Sequence, residues 1–529
     1  MINPTPLIRP WFGRRCRPDR GWTSVKSAQG AQARTLAWLL TTARDTAYGI
    51  RHRFREIGSY DTFRATVPLV TYPDLRADIE RMVAGGRDIL WPGRCRRFAQ
   101  SSGTSDGKSK YIPVTDASLR VNHYAGGADV VARYLNLYPD SRLFAGKSFI
   151  LGGSFATEHA TLPPGVRIGD LSANLIENIN PLANLVRIPS KEIALMSDWT
   201  RKLPALVEAS LRENVTNISG VPSWFLTVLR EVIRRAGATT IHDVWPNLEV
   251  FFHGGIAFGP YRDQYRAITD PSRMRYLETY NASEGFFAVQ DRRDTPGMLL
   301  LLDIGIFYEF LPLGSSDALD AIPVWQVQPG HTYQLIISSC NGLWRYAIGD
   351  TVRVESVEPL RISIAGRTKS FINAFGEELM VYNADNALAD TCRITGASVA
   401  NYTAAPVYAD GAARGRHQWL IEWNTPPASV EAFADELDRQ LQRQNSDYQA
   451  KRTGGIFLDR LSITTARPGL FDDWLASTGK LGGQRKVPRL ANDRTTIEAI
   501  LKLNTPKNAE YSEPSENSEN SKKYPDGNS

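Results

Sequence analysis

Gln100-Ser101-Ser102-Gly103-Thr104-Ser105-Asp106-Gly107-Lys108-Ser109-Lys110-Tyr111-Ile112-Pro113-Val114-Thr115 is the stretch that decides what kind of chain this is. Between Ser102 and Lys110 it packs two glycines, four hydroxyl side chains and two lysines into nine residues. Gly103 and Gly107 permit positive φ and close backbone approach, the hydroxyls donate to phosphoryl oxygens, and Lys108 or Lys110 supplies charge. Gly107-Lys108-Ser109 invites a Walker A reading, but that loop needs four residues between its glycines and here there are three. A phosphate-holding loop of another type and an ordinary polar turn between two strands both remain open at this point.

Outward from this loop, the flanks alternate helix and strand patterns. Upstream, Leu36, Leu39, Leu40 and Ala43 mark an amphipathic helix over residues 31–48, and Tyr72-Pro73-Asp74 opens another running through Met82. Downstream, residues 116–136 read as a helix carrying His123 and Tyr124. Strand patterns at Ser148–Leu151, Ile218–Val221 and Leu248–Phe252 then alternate with helical ones at Leu203–Leu211 and Trp224–Val232. Such alternation argues for an α/β domain, whose ligands collect at the carboxyl ends of strands.

Three of those ends carry chemistry. Phe252 runs into His253-Gly254-Gly255, where paired glycines let a flat ring or a phosphate lie against the backbone, or simply turn the chain. Arg275–Tyr280 runs into Asn281-Ala282-Ser283-Glu284-Gly285, where Glu284 can ligate Mg²⁺ and Tyr280 can stack on a base. Leu343–Ile348 runs into Gly349-Asp350, whose carboxylate can accept both ribose hydroxyls or cap a turn. Further strands are expected at Met298–Leu302, Ile306–Leu311 and Tyr333–Ser338. Beyond Gly366-Arg367-Thr368-Lys369 a shorter unit follows, with a helix at Asn383–Asp390, strands near Ala397–Tyr402, Trp419–Trp423 and Gly455–Leu461, and a helix at Val430–Asn445.

The 529 residues exceed what one core serves, so two or more domains are expected. Hydrophobic content of 42% and charged content of 22% are ordinary for a globular protein. The net charge of +6 is dispersed apart from Arg14, Arg15, Arg17 and Arg20, which argues against a nucleic-acid partner. Four scattered cysteines give neither a zinc pattern nor a disulfide framework, and no apolar run reaches membrane-spanning length. The expectation is a cytoplasmic protein without membrane contact.

The order of the motifs says more than any one of them. Ser-Ser-Gly-Thr-Ser-Asp-Gly-Lys-Ser-Lys, Tyr-Asn-Ala-Ser-Glu, Tyr-Ala-Ile-Gly-Asp, Gly-Arg-Thr-Lys and Gly-Gln-Arg-Lys-Val-Pro-Arg resemble the ordered motifs of the adenylate-forming superfamily, and within it the Gretchen Hagen 3 acyl acid amido synthetases, over residues 35–500. The resemblance implies a mixed α/β fold: a flexible basic N-terminus over residues 1–30, a large ATP- and acyl-acid-binding domain over 31–365, a small C-terminal domain over 366–504 and a disordered tail over 505–529. It implies ATP, Mg²⁺, a carboxylic acid and an amine, usually an amino acid, as the reacting partners. The acid becomes an acyl-adenylate with release of pyrophosphate, and the amine then forms an amide. A coenzyme A thioester made from the same adenylate, and nucleotide binding without catalysis, are the alternatives.

Carried over position by position, the resemblance gives Ser101, Ser102, Thr104, Ser105 and Lys110 to the phosphates and Glu284 to magnesium. It gives Tyr280 and Ser283 to the adenine and α-phosphate, Asp350 and Arg367 to the ribose, Lys369 to a hinge and Lys486 to the α-phosphate during adenylation. Gly254 and Gly255 line the nucleotide, and His123, Tyr124, Ser223, Trp224 and Phe225 are expected around the acid. Where plant members carry Tyr-Arg-x-Gly-Asp this chain has Ala347 after Tyr346, and Arg345 is expected to offset the missing arginine in part.

Overall fold

The computed structural model describes residues 3–17, 23–101, 110–155, 162–255, 258–293, 295–315, 317–367, 371–372, 374, 377, 379–407, 415–445, 448–449, 452, 458–478, 487–491 and 493–504. Its centre is a mixed sheet of twelve strands. Five of them are parallel neighbours, in the order Arg275–Ala282, Val250–Gly254, Val215–Gly220, Lys147–Ile150 and Arg187–Ile188. The others continue from Arg275–Ala282 as antiparallel neighbours, through Gly285–Val289, Met298–Leu300, Leu360–Arg367 and Tyr346–Val357 to Thr332–Ser339, Ile306–Pro312 and Ile322–Pro323. This is the mixed α/β architecture expected from the alternating pattern.

Local chemistry sets the helix boundaries. Ser24 caps the helix Val25–Ala43 by accepting from Ser27 N in a capping box, and its buried face repeats through Ala28, Ala31, Leu36, Leu39, Leu40 and Ala43. Thr71 and Asp74 form a second box on Tyr72–Val83. Pro222–Ala236 starts with proline in its first turn and ends at Gly237, φ +65°, the left-handed stop that glycine adopts without strain. Gln32 fastens the first of these helices to the sheet: its amide donates to Leu302 O at 2.7 Å and Ile306 O at 2.9 Å while Oε1 accepts from Tyr308 N at 2.8 Å.

Two apolar clusters pack on the large sheet. One joins the N-terminal helices to the antiparallel strands, and the other joins the helices Trp199–Leu211 and Pro222–Ala236 to the parallel ones. Separate clusters lie within residues 372–500, around a three-stranded sheet of Ser398–Val407, Arg416–Thr425 and Ser462–Ala466. That last strand corrects an expectation. Among the described residues of 455–461 there is only a bridge at Leu458, and the strand follows it, because the β-branched run Ile463-Thr464-Thr465 pairs with Arg416–Thr425.

The basic N-terminus also departs from the expected free tail. Thr5–Gly13 is a helix, Phe12 stacks on Phe144 at 5.7 Å, and the Arg15 guanidinium holds the fully buried Asp129 through two bonds of 2.9 and 3.0 Å. Burying that carboxylate demands a fixed cation, which fixes the segment in turn. All four cysteines are free, and no helix among the described residues is long and apolar enough to cross a membrane.

Candidate active site

Because the five parallel strands run the same way, their carboxyl ends open on one side, into a cleft of about 2620 Å³. Lys110, His123, Tyr124, Trp224, Gly254, Gly255, Tyr280, Ser283, Glu284 and Asp350 all line it. Residues separated by up to 240 positions in the chain therefore share one wall system, as the motif order implied. Asp385, Asn401 and Arg489, from the C-terminal part, line it as well.

The Ser283-Glu284 turn joins Arg275–Ala282 to its antiparallel neighbour Gly285–Val289, and both residues are mostly buried. Two asparagines that motif reading missed hold this turn. Asn341 Nδ2 donates to Glu284 O at 3.0 Å. Asn122 donates to Phe286 O and Ile304 O at 3.0 and 3.1 Å and accepts from Phe286 N at 2.7 Å. Gly126 lets the helix bearing Asn122 approach, since a Cβ there would stand 2.4 Å from the Phe286 ring.

Asp350 pairs in antiparallel register with Arg367, whose side chain lies outside the described residues. Its Oδ2 accepts from the Tyr280 hydroxyl at 2.7 Å. Tyr280 itself is 3% exposed and its ring packs on Phe287 at 4.8 Å, so the ring supports Asp350 and offers no open face for stacking a base. Tyr346 Oη is buried with no hydrogen-bond partner among the described residues, and besides burial the charges of Glu284 and Asp350 raise its pKa. A bare polar atom beside two carboxylates fits a place that a phosphate, a hydrated cation or ordered water completes. No cluster of three or more metal-ligating side chains occurs among the described residues.

Lys110 begins the strand Lys110–Pro113 with its ammonium 5.8 Å from the Tyr72 ring centre. Tyr72 Oη also accepts from Tyr111 N at 2.9 Å, pinning the start of that strand. Ser102, Thr104, Ser105, Lys369 and Lys486, with the side chains of Ser101 and Ser223, lie outside the described residues.

Burial lowers His123 to a pKa of about 4, so it meets the cleft as a neutral ring. Tyr124 is fixed by donating to Leu175 O at 2.9 Å. Phe225 does not belong with them. It is fully buried in the second core, 5.2 Å from Phe149 and 5.5 Å from Phe251, while its helix neighbour Trp224 turns to the cleft. The roughly 100° step between consecutive helix positions separates the two rings. Gly254 is required by packing between strands, since a Cβ would lie 2.4 Å from Thr279 O, whereas Gly255 takes φ +81°.

Arg345 is also corrected. It has φ +41° and is fully buried on the far side of its strand, where its guanidinium binds Glu309 and the carbonyls of Arg64, Val67 and Ala318. Ala347, where the missing arginine would stand, packs in a small core cluster with Leu311, Ala321 and Ile336 and does not line the cleft.

Comparison with known proteins agrees with this geometry. The GH3 family N-terminal domain matches residues 23–274, the central domain 299–367 and the C-terminal domain 382–495. A probable indole-3-acetic acid-amido synthetase of Arabidopsis thaliana is 23% identical over 90% of this chain and 91% of its own length, and a rice (Oryza sativa subsp. indica) indole-3-acetic acid-amido synthetase is 23% identical over 90% of each. Among solved structures, an acyl acid amido synthetase, AtGH3.15, in complex with 2,4-DB superposes with a TM-score of 0.74 at 17% identity, covering 91% of this chain and 94% of that one. A 2-hydroxyisobutyryl-CoA ligase bound to its acyl-AMP gives 0.62 at 15% identity, covering 92% and 94%. The chain belongs to the GH3 family.

Proposed function

We propose that this protein is an ATP-dependent ligase that adenylates a carboxylic acid and passes the acyl group to an amine, an amino acid, to form an amide. The observation that carries this reading is the convergence of Lys110, Ser283, Glu284 and Asp350 on one cleft at the carboxyl ends of the parallel strands, in a chain of the GH3 family. A carboxylate is a poor electrophile. Converting it to a mixed anhydride with AMP supplies a good leaving group, so the work of the site is to stabilise negative charge moving from the α-phosphate to the departing pyrophosphate.

In this reading Asp350, held by Tyr280, accepts the ribose hydroxyls, and Ser283 donates to the α-phosphate. Lys110, with the hydroxyls of Ser101, Ser102, Thr104 and Ser105, holds the outer phosphates. Glu284, fixed by the two asparagines through its turn, holds Mg²⁺, which when bound neutralises phosphate charge. Lys486 serves the α-phosphate, as the family motif implies, and the residues that follow it in sequence, Val487 to Arg489, line the cleft. His123, Tyr124 and Trp224 face the acid as an apolar wall with neutral polar tips.

The test is acid-dependent exchange of labelled pyrophosphate into ATP across aryl, indolyl and aliphatic acids, with Glu284→Ala as control. Exchange with one acid class, lost in the control, is the expected result. Product analysis with amino acids or coenzyme A then separates amide from thioester. ATP binding without exchange for any acid would overturn the ligase reading.

A further inference from the structure

One wall of the cleft is left unused by adenylation. It consists of Arg262, Glu278 and His253, on and beside the strands that carry the adenylate residues. His253 and Glu278 are register partners on the parallel strands Val250–Gly254 and Arg275–Ala282, so they project on the same face. Glu278 stands two residues before Tyr280, a step of about 6.6 Å along the strand. Both line the cleft, as does Arg262 at the start of the helix Arg262–Ile268.

None of the three has the partner that its chemistry calls for. His253 is 3% exposed, stacks on Phe258 at 4.3 Å, and leaves Nδ1 without a hydrogen bond among the described residues. The Glu278 carboxylate makes no hydrogen bond or ion pair among the described residues, although burial raises its pKa. Arg262 is exposed, has no acidic partner among the described residues, and rests with its guanidinium 5.4 Å from the Phe258 ring. Its charge acts on both of the others. A desolvated carboxylate and a bare imidazole nitrogen are costly to leave unpaired, and with an exposed guanidinium beside them an ammonium would serve the first two and a carboxylate the third.

We propose that Arg262, Glu278 and His253 form the acceptor site of the second half-reaction and take an α-amino acid by its carboxylate and its amine. Arg262 holds the carboxylate, which simple amines lack. The ammonium gives one proton to Glu278, which releases it to solvent through the open cleft, while Nδ1 of His253 hydrogen-bonds the nitrogen. The neutral amine attacks the acyl carbon. The C–N bond forms, the bond from that carbon to the phosphate oxygen breaks, AMP departs with the electron pair, and the second nitrogen proton goes to Glu278.

This inference rests on the acyl-adenylate reading, and its test separates the two. With an acid that supports pyrophosphate exchange, amide formation is measured for the preferred amino acid and for the amine made by removing its carboxyl group. The wild type is expected to favour the amino acid by roughly tenfold to a hundredfold in kcat/KM, the range of one charge-assisted pairing. Arg262→Ala is expected to raise the amino acid's KM and bring the two substrates level, and Arg262→Lys to restore part of the preference. Glu278→Gln, nearly isosteric, is expected to lower the amide-forming kcat by roughly a hundredfold. Exchange present but with an unchanged preference in Arg262→Ala would overturn this acceptor site alone. No acid-dependent exchange by the wild type would overturn the adenylate reading and this site with it.

Discussion

The Tyr280 hydroxyl donates to Asp350 Oδ2 at 2.7 Å, across 70 residues of sequence, and both groups are buried. The tyrosine thus orients the carboxylate assigned to the ribose. Tyr280→Phe keeps the ring on Phe287 and removes only this bond. The KM for ATP in pyrophosphate exchange is expected to rise about tenfold, equivalent to ~1.4 kcal/mol, with the KM for the acid nearly constant. Equal changes in both would show that the bond supports the whole cleft.

Asn122 makes two bonds to Phe286, in the strand that follows Glu284, and a third to Ile304 O, and all are buried. Asn122→Ala strands two carbonyls and one amide away from water, at a cost of about 2 to 4 kcal/mol. A lower urea midpoint and a larger loss in the magnesium dependence of exchange than in acid affinity are expected. Asn341→Ala, which frees Glu284 O and the Ser339 hydroxyl, should show the second effect with a smaller first.

Arg345 and Glu309 form an ion pair with both side chains fully buried, and Tyr60 also donates to the carboxylate at 3.1 Å. Removing one partner leaves an uncompensated charge, so Arg345→Met should cost about 3 to 5 kcal/mol of stability. The double variant Arg345→Met/Glu309→Leu should recover much of it. Because this cluster faces away from the cleft, the KM for ATP of whatever protein folds should stay close to that of the wild type.

His123 sets a direction for pH dependence. Its folded pKa of about 4 lies below the unfolded value of about 6.5, so between those values the unfolded chain binds the extra proton and stability falls as pH falls. At pH 5 the loss from this one ring is about 2 kcal/mol. Urea midpoints measured from pH 7 to pH 4 should decline less steeply in His123→Asn, with the remaining slope due in part to His253, lowered to about 3. Identical slopes would mean that the ring gains a partner on protonation.

Much of this was legible in the chain. Most helices and strands flanking Gln100–Thr115 fall within a few residues of where periodicity put them, but the helix expected over 31–48 spans Val25–Ala43, and Thr46 caps a separate short helix, Ala47–Arg51. The convergence of Glu284, Asp350 and Lys110 was legible from motif order. The misses share a cause, which is orientation. Trp224 and Phe225 are neighbours on one helix, and only the helix phase, set by the second core, decides which ring meets the cleft. Arg345 was read by its place beside Tyr346, next to the missing arginine, yet its side chain is buried against Glu309. Asn122 and Asn341 act through backbone groups of distant strands, and no local pattern announces such a bond. His253 and Glu278 become visible as a pair only once strand register is known.

The N-terminal helix has a practical consequence for anyone who trims this gene. The GH3 family match begins at residue 23, an inviting place to start an expression clone. Starting there would remove Arg15 from the buried Asp129 and Phe12 from Phe144, taking a guanidinium from a buried carboxylate on the helix that follows Asn122 and His123. Poor solubility or weak turnover in such a shortened protein would report on the cut and say nothing about its chemistry.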